Sequence, residues 1–166
     1  MNIFRLDNCP QKAAQYQNNK HIVKMPLETA QLLCTALHMK KIHEPWMYKP
    51  FNPKHPSAIW TRESKANFLW LCHHGIALCE EYTYRYRKTH KSFEIIQKCK
   101  NYASLFSDID ETPLLLAMPK KFHTSDAVHS YRLYYAGEKT HLAQWFPRPI
   151  PDWWETYLQL VQKINN

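Results

Sequence analysis

Apolar residues recur at spacings of three and four through Asn19–Lys41 (NKHIVKMPLETAQLLCTALHMKK), and at about 3.6 residues per turn this stretch sorts into two faces. Ile22, Val23, Pro26, Leu27, Ala30, Leu33, Cys34 and Leu37 share one side, while His21, Lys24, Glu28, Gln31 and Thr35 line the other. Met25 and Leu32 flank the polar stripe, so it reads as the floor of a cleft whose edges are covered by protein. The plainer reading is a solvated face with a Lys24–Glu28 ion pair at i,i+4, in the weaker order with lysine first. Pro26 has no amide N–H and its ring meets the carbonyl of Ile22, so it either kinks the helix or opens a new first turn.

The remaining elements follow in order. Met1–Leu6 reads as extended or loop, and Asp7–Pro10 as a turn. Pro10 with Gln11–Gln17 opens a short helix that Asn18 and Asn19 end or recap. Ile42–Pro56 is a loop carrying Pro45, Pro50, Pro53 and Pro56, with Trp46, Tyr48 and Phe51 to pin it to the body. Ser57 to Arg87 reads as the second long helix, capped by Ser57 or Thr61. Its apolar positions are Phe68, Leu71, Cys72, Gly75, Ile76, Cys79 and Tyr82. A third helix spans Ser92–Tyr102, and Leu105–Lys121 is loop with an apolar turn at Leu114–Met118. Ser125 caps a helix over Asp126–Ala136, with Gly137 as the residue just past its end. Phe146–Pro151 (FPRPIP) breaks the chain before a last helix, Asp152–Ile164. No period-two strand pattern is present. The expectation is an all-α fold: a single compact domain over residues 1–166, of two long helices plus several shorter ones, with long Pro-rich loops.

Composition narrows the function. Only two glycines occur in 166 residues, so no GxGxxG or P-loop can be written and glycine-cradled phosphate chemistry is excluded. A net charge of +8 favours a polyanionic partner over solubility alone as its reason. Five cysteines, an odd number without a CxxC, read as buried reduced thiols. No secretory signal and no apolar run near 18 residues can be picked out, so a cytoplasmic protein without a membrane contact is expected.

Metal and nucleophile signatures are weak. Cys34 with His38, and Cys72, His73, His74 with Cys79, lack the second ligand pair of a structural zinc site. No GxSxG occurs, and no metal or cofactor is expected. Basic–aromatic interleaving is stronger. Tyr82–Lys91 (YTYRYRKTHK) and Tyr131–Lys139 (YRLYYAGEK) combine phosphate-neutralising cations with rings on which bases can stack. Alternatively, Tyr82 and Tyr86 are core and the cations simply complement a helix C-terminus.

These residues together resemble the pyrimidine-dimer DNA glycosylases of the phage endonuclease V type. In that family a small basic all-α protein threads its N-terminus through the fold to the first long helix, which carries a histidine and, seven positions on, the catalytic glutamate. K-H-I-V-K-M-P-L-E puts His21 and Glu28 at that spacing. Asn67, Phe68, Leu69, Trp70 and Leu71, leading to Glu80, Glu81, Tyr82 and Arg85, resemble the family's second helix. Tyr131–Lys139 is similar to its aromatic–basic segment near the C-terminus. The family's nucleophile is the α-amine left after the initiator Met is removed from a small residue. Here residue 2 is Asn2, before which Met1 is often kept, and Leu27 and Gln31 stand where the family has arginines.

The resemblance implies a DNA glycosylase/AP lyase acting on double-stranded DNA with a damaged or modified base, as a monomer. An α-amine has an ordinary pKa near 8, so roughly a tenth is neutral at pH 7 and able to attack a sugar C1′. Catalytic roles then fall to the amine of Met1 or Asn2, to Glu28 and to His21, with Lys24 as a second amine. Nucleic-acid contacts are expected at Arg5, Arg62, Tyr84, Arg85, Arg87, Lys88, Lys91, Tyr131, Arg132, Tyr134, Tyr135 and Lys139. The competing readings are a non-catalytic nucleic-acid-binding protein and an enzyme of modified-base or RNA metabolism on the same scaffold.

Overall fold

The computed structural model describes residues 1–166, and they form seven α-helices and no strand. The helices are α1 (Pro10–Gln15), α2 (Asn19–Met39), α3 (Pro56–Glu63), α4 (Lys65–Tyr86), α5 (Phe93–Lys100), α6 (Ala127–Glu138) and α7 (Trp154–Asn165). Single 3-10 turns lie at Ala103–Leu105, Lys120–Phe122 and Thr140–Leu142. α4 is the central post, packed by α1, α2, α3 and α5, and α7 packs on α6. No helix is long and apolar enough to cross a membrane.

α2 begins where Asn18 accepts a hydrogen bond from the His21 N–H at 2.9 Å, and it runs through Pro26 without ending. An interior proline costs about 3 kcal/mol. Burial outweighs that, since Ile22, Met25, Leu32, Leu33 and Leu37 all lie out of water and each contributes on the order of 1.5–3 kcal/mol. The buried face is rotated from the one the pattern suggests. Val23 (44% exposed) and Leu27 (39%) face outward, whereas Met25 and Leu32, beside the polar stripe, are in the core. His21 and Glu28 therefore lie on the shoulder of α2, where core meets surface.

The single helix expected over Ser57–Arg87 is two. Ser64 is extended (φ −148°), and its hydroxyl accepts from the Asn67 N–H at 2.9 Å to start α4. Buried Asn67 fixes the corner by donating to the Trp60 carbonyl and accepting from the Thr112 N–H, the second a bond across 45 residues that no local pattern encodes. α3 is capped by His55, not by Ser57 or Thr61. α6 is capped by Asp126 rather than Ser125, and α5 is shorter at both ends than expected. Leu114–Met118 carries no turn across its length, only a bend at Met118. Trp46 and Tyr48 do pin the Pro-rich loop, but Phe51 is 51% exposed. Gly137 is inside α6 with a negative φ. The Phe122 ring comes within 2.6 Å of where a Cβ would stand, so glycine is there for close packing and not to end a helix.

The N-terminal segment is core, with Ile3, Phe4 and Leu6 buried between the helices. Phe4 stacks on His21 at 4.3 Å and meets Tyr135 and Tyr131 edge-on. Asn2 donates to the Ala117 carbonyl (2.9 Å) and accepts from the Tyr131 hydroxyl (2.8 Å). These contacts carry Met1 to the shoulder of α2.

Gly137→Ala is expected to lower the unfolding free energy by up to about 2 kcal/mol in urea titration. Overpacking against the buried Phe122 ring (about 1–3 kcal/mol) exceeds the helix-propensity gain of about 1 kcal/mol.

Candidate functional site

Three groups meet on that shoulder. The Met1 amine lies 3.1 Å from Glu28 Oε1, and Lys24 Nζ lies 3.6 Å from Oε2. The Glu28 side chain is 11% exposed and the Met1 side chain 2%, while Lys24 is 69% exposed. The carboxylate is thus bridged between an amine supplied from inside the fold and one standing in solvent. The cleft above it holds about 240 Å³ and is lined by Met1, His21, Lys24, Glu28, Tyr134 and Lys139, among others. That is smaller than the ~300 Å³ at which drug-sized ligand sites begin, so it has room for a sugar and phosphate more than for a large ligand. A larger hollow of about 340 Å³ beside Arg5 and Glu111 contains neither the amine nor Glu28.

His21 is locked in place. Its backbone is held by the Asn18 cap, its ring by Phe4, and its Nδ1 by the Tyr135 hydroxyl at 2.7 Å. That hydroxyl also accepts the Asn18 N–H at 2.9 Å, and donating its own proton to Nδ1 would leave the imidazole hydrogen on Nε2. Burial above all, then the charges of Lys139, Lys24 and His141, pushes its pKa down to about 3. His21 is therefore neutral at physiological pH. Burial likewise pushes the Tyr135 hydroxyl up, which keeps it a donor.

Several residues expected to contact nucleic acid are instead buried or half-buried, with their polar groups taken by partners inside the fold. Arg5 is 8% exposed, pairs with Glu111 and lies over the Trp70 ring. The Arg85 side chain is 1% exposed and bonds Glu81, the Gln15 and Gln17 carbonyls and the Asn19 side chain. Arg132 donates to the Leu6 carbonyl and lies among Tyr16, Trp153 and Tyr157. Tyr131 and Tyr135 are core residues that hold Asn2 and His21. Arg62 is half-buried and donates to the Pro53 carbonyl at 2.7 Å.

The others reach the surface. Tyr84 is 47% exposed beneath Arg148, and Arg87, Lys88 and Lys91 are exposed around the end of α4, where Arg87 is left-handed (φ 59°). Tyr134 and Lys139 line the cleft, with Lys139 Nζ over the Tyr134 ring. Tyr86 donates to the Asn19 carbonyl and His90 bonds the Val23 carbonyl, which ties the α4 end to α2. Lys20, Val23, Lys24 and Leu27 are exposed along α2, and the His90 bond to Val23 brings the Arg87–Lys91 segment to that helix.

Sequence reasoning missed Phe4, Ala117, His55, His141 and Arg148. Burial first, then the Met1 ammonium, lowers the His55 pKa, and Glu28 raises it. A family model described as pyrimidine dimer DNA glycosylase matches residues 1–95, a stretch containing Met1, His21, Lys24 and Glu28. No curated protein and no solved structure matches the chain.

Two outcomes follow from the His21 geometry. The unfolded chain takes up a proton at His21 below about pH 6.5, and the folded protein refuses it until about pH 3; His74, pushed down to about 4 mainly by burial, acts in the same sense. Unfolding free energy is thus expected to fall as pH drops from 6.5 to 4, and the His21 ring protons to show no NMR titration between pH 5 and 8. Tyr135→Phe leaves the Asn18 N–H and His21 Nδ1 unpaired and should cost about 1–3 kcal/mol in denaturant unfolding.

Proposed function

The chain belongs to the pyrimidine dimer DNA glycosylase family, and on that premise we propose that it excises a damaged or modified base from double-stranded DNA with an N-terminal amine as nucleophile. The observation that carries this reading is the 3.1 Å approach of the Met1 amine to the Glu28 carboxylate, on the floor of a cleft flanked by cations.

The ammonium first gives up a proton, with Glu28 as the adjacent acceptor. The free amine then attacks the sugar C1′ as the glycosidic bond breaks, and the base leaves with the bonding pair and takes the proton held by Glu28, which becomes a carboxylate again. Glu28, as a carboxylate in a largely dehydrated site, stabilises the positive charge that builds on the sugar ring. Opening of the ring gives an imine between the amine and C1′. Loss of a C2′ proton expels the 3′-phosphate by β-elimination, and water then releases the enzyme. Lys24 offsets the charge of Glu28 from the solvent side, and Lys139 and Lys20 attract the phosphates.

Met1 fits the nucleophile better than Asn2 does. The Asn2 side chain is committed to Ala117 and Tyr131, and its nitrogen is one residue further along the chain from the amine that meets Glu28. Neutral His21 offers an Nε2–H donor for a phosphate or sugar oxygen.

Sodium borohydride added to the protein with duplex DNA bearing a pyrimidine dimer or an abasic site should trap a covalent adduct. Acetylation of the N-terminus should abolish it, and Lys24→Ala should keep it. Glu28→Gln should slow excision about 10²- to 10⁴-fold while leaving salt-sensitive DNA binding in place. Binding with no adduct in either the unaltered protein or the Glu28→Gln variant would favour the non-catalytic binder.

A further inference from the structure

Phe146 is 85% exposed, more than any other large apolar side chain, and its ring stacks on no other. Leaving a phenylalanine in water forfeits burial the fold would otherwise gain. The loop bearing it is nevertheless firmly held. Asn19 N–H donates to the Gln144 carbonyl at 2.8 Å, and the Asn19 side chain donates to the Phe146 carbonyl at 3.3 Å. The preceding Trp145 is buried against Trp154, and its indole N–H donates to the Tyr16 carbonyl at 2.7 Å. On the other side, Arg148 N–H donates to the Trp145 carbonyl and its guanidinium grips Glu81. Pro147 and Pro149 stiffen what lies between. An apolar ring is thus presented to solvent on a rigid mount.

The mount sits against the first turn of α2. Asn19 precedes Lys20 and His21, so the Phe146 carbonyl is bonded within one helical turn of the cleft wall. Lys139 at the cleft and Phe146 are the two ends of one short segment, and Lys20, Tyr86 and Arg148 surround the junction. A sugar C1′ inside a stacked duplex is not accessible to an amine on a cleft floor, so the duplex must be opened beside it. Apolar wedges do this by replacing a base in the stack.

We infer that Phe146 is the wedge: it enters the base stack beside the nucleotide drawn to Glu28, and its ring takes the stacking place that opens. The inference rests on the reading above in taking duplex DNA as the substrate, and it adds the residue that makes the sugar reachable. Exposed Lys20, next to Asn19, and Lys139 at the cleft bring phosphates to the junction, which favours nucleic acid over an apolar protein surface as the partner.

The test uses a duplex with 2-aminopurine next to an abasic-site analogue, whose fluorescence rises when the base unstacks. The unaltered protein should raise it and Phe146→Trp should keep the rise. Phe146→Ala should lose most of the rise, weaken duplex binding at least about fivefold, and slow duplex excision more than borohydride trapping on single-stranded abasic DNA. Thermal unfolding of Phe146→Ala should be unchanged, since the side chain is in solvent. A rise and excision rate in Phe146→Ala equal to the unaltered protein would overturn the wedge, as would the absence of any rise with the unaltered protein. If a Phe146-dependent rise appears without a borohydride adduct, the wedge stands and the glycosylase reading falls. If the adduct forms and Phe146→Ala is indistinguishable, only the wedge falls.

Discussion

A carboxylate held nearly out of water must have a cation against it, because a buried unpaired charge costs several kcal/mol. Glu28 meets this condition with the Met1 amine on its inner side and Lys24 on its outer side. The inner partner can be there only because the first six residues run through the core instead of along the surface. Ile3, Phe4 and Leu6 are buried, and Asn2 is bonded to both the 111–118 segment and α6. The stability of the fold and the geometry of the site are therefore one problem: what anchors the N-terminal segment also aims its amine.

The same economy runs through the polar interior. Tyr135 serves both a backbone N–H of the Asn18 cap and the His21 ring, so the start of α2 and the orientation of its histidine are set by one hydroxyl from α6. Glu81 holds Arg85 and Arg148 together, and through them joins α4 to the turn between α1 and α2 and to the loop bearing Phe146. Tyr135 and Arg85 belong to the basic–aromatic blocks that read as a nucleic-acid surface. Half of each block is turned inward as structure, leaving Tyr84, Arg87, Lys88, Lys91, Tyr134 and Lys139 to face solvent or the cleft.

Particular residues show how far the linear pattern reaches. Asn18 before an apolar-periodic run marks the start of α2 correctly, because a cap bonds only three residues ahead. The break at Ser64 was not legible: the periodicity on either side is continuous, and the corner depends on Asn67 meeting Thr112, 45 residues away. Gly137 looked like a helix end by position, yet it answers to the Phe122 ring. Val23 and Leu27 looked like core by hydrophobicity, yet α2 is covered from its other sides and they are left outside.

From the sequence alone came the all-α class, the bounds of α2, the exclusion of glycine-cradled phosphate chemistry and the spacing of His21, Lys24 and Glu28. Each of these depends on residue type and on neighbours within a turn or two. Which arginines and tyrosines are free to meet a ligand, which amine faces Glu28 and which apolar side chain is left in water were decided by tertiary packing. The physical reason is that burial and long-range hydrogen bonds select among chemically equivalent side chains, and those partners lie up to 129 residues apart in the chain.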